Sequence, residues 1–215
     1  MTEPITTNVS TPVKAKGYVQ AEGGIYRAND INYYANLGIT LGGRVSKGST
    51  FANAEVGYGT AFRAKAEVGH EFKLNKNGNM GLELAGNAEY LRNGQKSEYL
   101  SEVTIEKSGK YTSKSSWQDG YKKAGVSGMF NFKGKKGNVK VGLEAGYSRN
   151  NAPDINETYT INSNHIRHET LKNHESGFYA TPKVSAELNI GKKGDWSAIA
   201  DADMHRGNVG IRYTF

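Results

Sequence analysis

Three acidic and imidazole side chains near the C-terminus, Asp201, Asp203 and His205, alternate along one face of an extended segment. That spacing is one in which a carboxylate orients a general base. No serine in a recognisable nucleophile setting accompanies them, so ion pairing is the better use of Asp201 and Asp203. His165 and His168, with His174, Glu169 and Glu175 nearby, have a spacing seen among zinc or nickel ligands. They lie in a long polar segment without a fixed frame, which seldom supplies a metal site. No catalytic residue, metal or cofactor is therefore expected. The absence of Cys removes cysteine nucleophiles, Cys-based zinc sites and disulfides together.

The side chains left with chemistry to do are charged residues at every second position of extended segments. Glu55, Arg63, Lys65, Glu67, Glu83, Glu89, Lys123, Lys140, Glu144, Lys183, Glu187 and Arg212 are among them, and the intervening positions are apolar. Strict alternation is the signature of a strand with one apolar and one polar face. It is clearest at the C-terminus, where Val209, Ile211, Tyr213 and Phe215 share one face, and Gly210, Arg212 and Thr214 the other.

The same alternation organises the chain from Val13 onward, after a Thr-, Ser- and Pro-containing tail over residues 1–12. Strands are expected at about 13–27, 31–46, 51–58, 61–74 and 80–90, then at 124–132, 139–147, 178–190, 196–202 and 209–215. The long stretch from Phe51 to Leu74 exceeds the roughly 9–11 residues of a membrane strand. It is expected to break at Gly57 to Thr60, where an odd-length turn preserves the facing of the side chains. Pro182 removes a ladder donor, so the strand around it is expected to begin after it or to carry a bulge. Every second connection is short and contains Lys and Gly: Lys47-Gly48, Lys76 to Gly78, Lys135 to Gly137 and Lys192 to Gly194. These form one rim. Two long polar segments, 93–119 and 150–176, lie on the other; the first holds a hairpin of Tyr99 to Ile105 against Tyr111 to Trp117, turning at Ser108-Gly109.

The expectation is an all-β fold, a transmembrane antiparallel up-and-down β-barrel of about ten strands over residues 13–215. Eight would result from fusing strands around Gly59 and around His205, but would move the long loops to the side of the termini. Mean hydropathy is −0.66, and no apolar run approaches the roughly 20 residues of a membrane helix. Barrel strands escape that test because only alternate residues face lipid. Aromatics collect near strand ends in two belts, Tyr26, Tyr33, Phe62, Tyr90, Tyr147 and Phe178 towards the long loops, and Phe51, Phe72, Phe132, Trp196, Tyr213 and Phe215 towards the short turns. His70 belongs with the second on the apolar face. Charges of both signs on the inner face should pair, fill the lumen and leave little conductance. In a soluble sandwich, the competing reading, the same charges would face water.

The formal net charge of +7 invites nucleic acid, but the Lys residues are dispersed through turns and alternate positions, and no nucleic-acid partner is expected. Met1-Thr2-Glu3-Pro4 lacks a basic and then apolar segment, so no signal peptide is expected in it, and export would imply a mature form or a recombinant one with an added Met.

The pattern resembles the small bacterial outer-membrane β-barrels of the opacity-protein and adhesin type. The terminal Gly210, Tyr213 and Phe215 match the closing-strand signal read by the barrel-assembly machinery. Autotransporter barrels end similarly but usually carry a helix through the lumen, and residues 1–12 do not look helical. The resemblance implies residence in the bacterial outer membrane, in contact with the lipid bilayer and lipopolysaccharide, and long loops that meet a host or cell-surface ligand. Tyr99, Tyr111, Trp117, Tyr159, His165 and His168 are the loop residues expected to bind. The function implied is non-enzymatic adhesion or ligand binding; a small pore and an outer-membrane hydrolase are the alternatives.

Overall fold

The computed structural model describes residues 11–27, 33–94, 97–105, 109–117, 120–150, 155–161, 164–171, 176–190, 195–204 and 206–215. Its strands are β1 (Val13–Arg27), β2 (Tyr33–Lys47), β3 (Thr50–Gly59), β4 (Ala61–Lys73), β5 (Met80–Asn93), β6 (Ser97–Ile105), β7 (Gly109–Trp117), β8 (Gly120–Gly134), β9 (Gly137–Asn150), β10 (Ile155–Ile161), β11 (Asn164–Leu171), β12 (Ser176–Ile190), β13 (Trp196–Ala202) and β14 (Arg206–Thr214). Ten of them close into an antiparallel barrel, each beside the next barrel strand in sequence and β1 beside β14. The other four form a separate sheet in the order β11-β10-β7-β6. No described helix is long and apolar enough to cross a membrane.

Closure rests on the terminal strand. Tyr213 pairs with Val19 and Ile211 with Ala21, and the Phe215 and Gly17 backbones exchange two hydrogen bonds of 2.9 and 3.1 Å. The Phe215 ring lies where a Cβ on residue 17 would stand, so glycine there is what admits the aromatic terminus to the seam.

At the short-turn rim, Gly48 and Gly78 adopt φ of 61° and 67°, a region glycine enters without steric cost. At the opposite rim Thr60 alone joins β3 to β4, an odd-length link that keeps Val56 and Tyr58 on the same outer face as Phe62 and Val68. Its Oγ1 donates to the Ala35 carbonyl at 3.0 Å and accepts from the Leu37 amide at 3.1 Å, which pins the link to β2.

The outer wall is apolar and uncovered: Leu41 is 61% exposed and Val126 66%. Patches of that extent are foreign to a protein in water, and the wall suits hydrocarbon. Adjacent strands pair their aromatics at both ends of it. Phe62 and Tyr90 lie 6.0 Å apart and Tyr147 and Phe178 5.6 Å apart at the loop rim, while Trp196 and Tyr213 lie 5.0 Å apart at the other. His70 shares the outer face, 4.6 Å from Phe72 and hydrogen-bonded to the Thr50 hydroxyl at 2.9 Å.

Two residues expected in the belts face the lumen instead. Tyr26 is 1% exposed and Phe51 3%, because each sits on the inward phase of its strand's alternation. Neither a late start nor a bulge accommodates Pro182. β12 runs unbroken through it, opposite Leu143 of β9. Pairing with β13 begins only at Val184, so β12 has an open edge at Pro182. The turn at Asn29-Asp30 and that at Lys192 to Gly194 lie outside the described residues.

Candidate functional site: the lumen and the outer sheet

The lumen is filled by the polar phase of every strand. Near the loop rim, Lys123 stands 3.2 Å from Glu144, 3.3 Å from Asp203 and 3.5 Å from Glu89. Glu144, 1% exposed, also holds Lys183 at 2.8 Å and accepts the Tyr179 hydroxyl at 2.8 Å. Arg206 bridges Glu89 at 3.2 Å and Asp201 at 2.5 Å. The apolar cluster of Tyr26, Ala61, Leu91 and Tyr121 sits at the same end, and the Tyr121 hydroxyl donates to Glu89 at 2.9 Å. Ion pairs and this apolar cluster together fill the lumen near the loop rim.

Midway down, the Arg63 guanidinium lies 3.0 Å from Glu55 and 3.9 Å from Glu22. Tyr18 donates to Glu55 at 2.6 Å, and Gln20 and Thr40 donate to Glu22. Below this level a cavity of about 550 Å³ occupies the short-turn half, with Arg63, Asp201 and Arg206 at its inner end and Lys16 and Lys133 at its mouth. Nine basic and six acidic side chains line it, and three of the bases, Arg63, Arg206 and Lys183, also pair with Glu22, Glu89 and Glu144 behind the lining.

The expected pairing of lumen charges is thus present. Asp201 and Asp203 are partners of Arg206 and Lys123, as their chemistry suggested; His205 lies outside the described residues. No group of three or more His, Cys, Asp or Glu able to hold a metal occurs among the described residues. Sequence reading missed the Tyr26, Leu91 and Tyr121 cluster. Its signal was large apolar residues standing in the polar phase of their strands.

The long loops are more ordered than a polar loop. β6 and β7 form the expected hairpin, with Tyr99 on β6, and Tyr111 and Trp117 on β7; Ser108 lies outside the described residues. The second segment, read as a polar loop that equally suits a protruding hairpin packed on the first, supplies β10 with Tyr159, and β11 with His165 and His168. β7 and β10 pair from Tyr111–Ile161 to Ser116–Asn156, which joins the two hairpins into one sheet. The six loop residues therefore belong to one four-stranded body, whose outermost strands are β6 and β11.

No protein-family model and no curated protein matches the chain. Among solved structures it is similar to a KdgM porin in complex with disordered oligogalacturonate, at 11% identity, covering 92% of this chain and 99% of that one, with a TM-score of 0.34. It is similar also to Ail, the attachment invasion locus protein of Yersinia pestis, in complex with the heparin analogue sucrose octasulfate, at 8% identity, 94% and 98% coverage and a TM-score of 0.33. The translocator domain of the autotransporter NalP from Neisseria meningitidis gives 13% identity, 98% and 90% coverage and a TM-score of 0.27. Likeness at this level speaks to neither ligand nor activity. What the chain's own coordinates establish is a closed ten-stranded antiparallel β-barrel with an apolar wall, a charged lumen and a sheet built from its two long loops.

Proposed function

We propose that this protein is a non-enzymatic outer-membrane β-barrel that acts through the sheet of its long loops, a surface for adhesion or ligand capture, with the barrel as a closed support. The observation that carries the reading is the pairing of β7 with β10, which merges hairpins from two separate loops into one body beyond the loop rim. Loops that served only to connect barrel strands would not need ordered pairing with each other. Edge strands β6 and β11 offer backbone donors and acceptors to an extended partner segment, and strand addition is a recurrent mode of peptide recognition. Tyr99, Tyr111, Trp117, Tyr159, His165 and His168 are the residues proposed to give the contact its selectivity.

Bacteria displaying the protein, with residues 97–117 and 155–171 each replaced by a short turn, are expected to lose adhesion to epithelial cells and to one another. The trimmed barrel should keep the heat-dependent gel shift of a folded barrel. Adhesion that persists at the unmodified level would sink the proposal.

A second reading, a small pore, is favoured by one observation, the cavity that opens at the short-turn rim. Planar-bilayer recording separates the two. The lumen, filled near the loop rim, is expected to give no resolved single-channel steps, and stable steps from the unmodified protein would favour the pore.

A further inference from the structure

Charge is not distributed evenly along the lumen. In the loop half, bases meet acids in the ladder itself: Lys65 lies opposite Glu55 on β3 and Glu89 on β5, and Lys123 opposite Glu89. The short-turn half holds paired charges too, for Glu71 and Glu83 face each other there and Lys133 and Lys140 reach across to them at 2.5 and 2.8 Å. The β1–β2 side of the same mouth differs. Lys16 lies opposite Arg44, two cations in direct cross-strand register, an arrangement that destabilises a sheet unless an anion is shared between them. The other ladder neighbour of Arg44 is Asn53. Arg212 stands between Gln20 and Ser197. Carboxylates reach these two arginines only loosely, Glu83 at 4.0 Å from Arg44 and Glu187 at 3.9 Å from Arg212.

Both guanidinium groups are nevertheless held in place. Arg44 lies 3.9 Å over the Phe51 ring and Arg212 4.2 Å over the Tyr18 ring. Stacking fixes the plane of each guanidinium; Arg212 also donates Nε and Nη2 to Gln20 Oε1 at 3.1 and 2.9 Å, while Glu83 stays 4.0 Å from Arg44, which leaves Arg44 the freer of the two for a planar acceptor. At the inner end of the same cavity Arg63, 5% exposed, leaves Nε and Nη1 without a hydrogen-bond partner among the described residues.

We propose that the short-turn half of the lumen is a binding site for a soluble multivalent oxyanion, bearing phosphate or carboxylate groups. Arg44 and Arg212 are its stacked anchors and Lys16 its entry charge. The site faces the lumen and not the lipid, and it is reached from the rim opposite the loop sheet. It is therefore independent of what the loops bind.

Isothermal titration of the detergent-refolded full chain with inorganic pyrophosphate, and separately with citrate, tests this at low ionic strength. Saturable one-to-one binding that weakens with salt is expected for at least one of the two. Arg44→Gln and Arg212→Gln should each weaken it about tenfold, the loss of one charge-assisted contact. A preference for pyrophosphate or for citrate assigns the oxyanion. Should either arginine variant fail to show the heat-dependent gel shift, Lys16→Gln, a change at an exposed side chain, carries the same test with a several-fold loss expected. No saturable binding of either probe by the unmodified protein overturns the proposal, as does affinity unchanged in the folded variants.

Discussion

Glu144→Gln is expected to lower the unfolding free energy of the refolded barrel by about 3–5 kcal/mol, the range for breaking a buried ion pair by removing one partner. The carboxylate is 1% exposed and faces two ammonium groups, Lys123 at 3.2 Å and Lys183 at 2.8 Å. Glutamine preserves its shape and an acceptor for the Tyr179 hydroxyl, so the loss reports the charge and not a cavity. Lys123 retains Glu89 and Asp203 as counter-charges. Adding Lys183→Met to Glu144→Gln should accordingly recover much of the loss, because it removes the cation that the first change strands. Glu187→Gln is the control. Its side chain is 30% exposed and its arginine stands 3.9 Å away, so a change under about 1 kcal/mol is expected. Denaturant unfolding from lipid vesicles measures all three variants, and equal effects at positions 144 and 187 would show that the lumen pairs are not dry.

Leu41→Arg is expected to cost about 2–4 kcal/mol in vesicles, the penalty for arginine on the lipid face near the midplane of a barrel. Leu41 is 61% exposed, midway along β2, and flanked by Val19 and Val56 on the neighbouring strands. For a protein in water the same change would alter stability by no more than about 0.5 kcal/mol. Leu74→Arg, at the short-turn rim and 50% exposed, should cost about 0–1 kcal/mol, since the penalty fades towards the interface. A gradient between positions 41 and 74 is the signature of a bilayer. Its absence would make the outer wall an ordinary exposed surface and would remove the membrane from the proposed function.

Much of this architecture was legible one strand at a time. Alternation of side chains is a local property of the pleated backbone, so the ten barrel strands, the inward phase of the charges and the division into a short-turn and a long-loop rim could be read without knowing any partner. Thr60 shows how far that goes, for the unbroken alternation from Phe51 to Leu74 calls for an odd-length link, and a single residue makes it. Alternation also fails in identifiable places. Tyr26 and Phe51 were grouped by residue type and position near a strand end, although phase placed both inward, and phase decides.

What only the tertiary structure decided is which residues meet. Lys123 gathers carboxylates from β5, from β9 and from the segment after β13, a meeting set by closure of the sheet and the stagger of its strands, and no local pattern encodes either. Pro182 is accommodated because a neighbouring strand stops short, which its own strand cannot reveal. Likewise the second long segment suits a hairpin, but its register on the first is not legible in it, because β10 pairs with β7, a strand from the other loop. Local alternation determines that a strand forms and which face is greasy; the pairing of charges, the apolar cluster and the joined outer sheet depend on contacts between residues far apart in the chain, and those exist only once the barrel has closed.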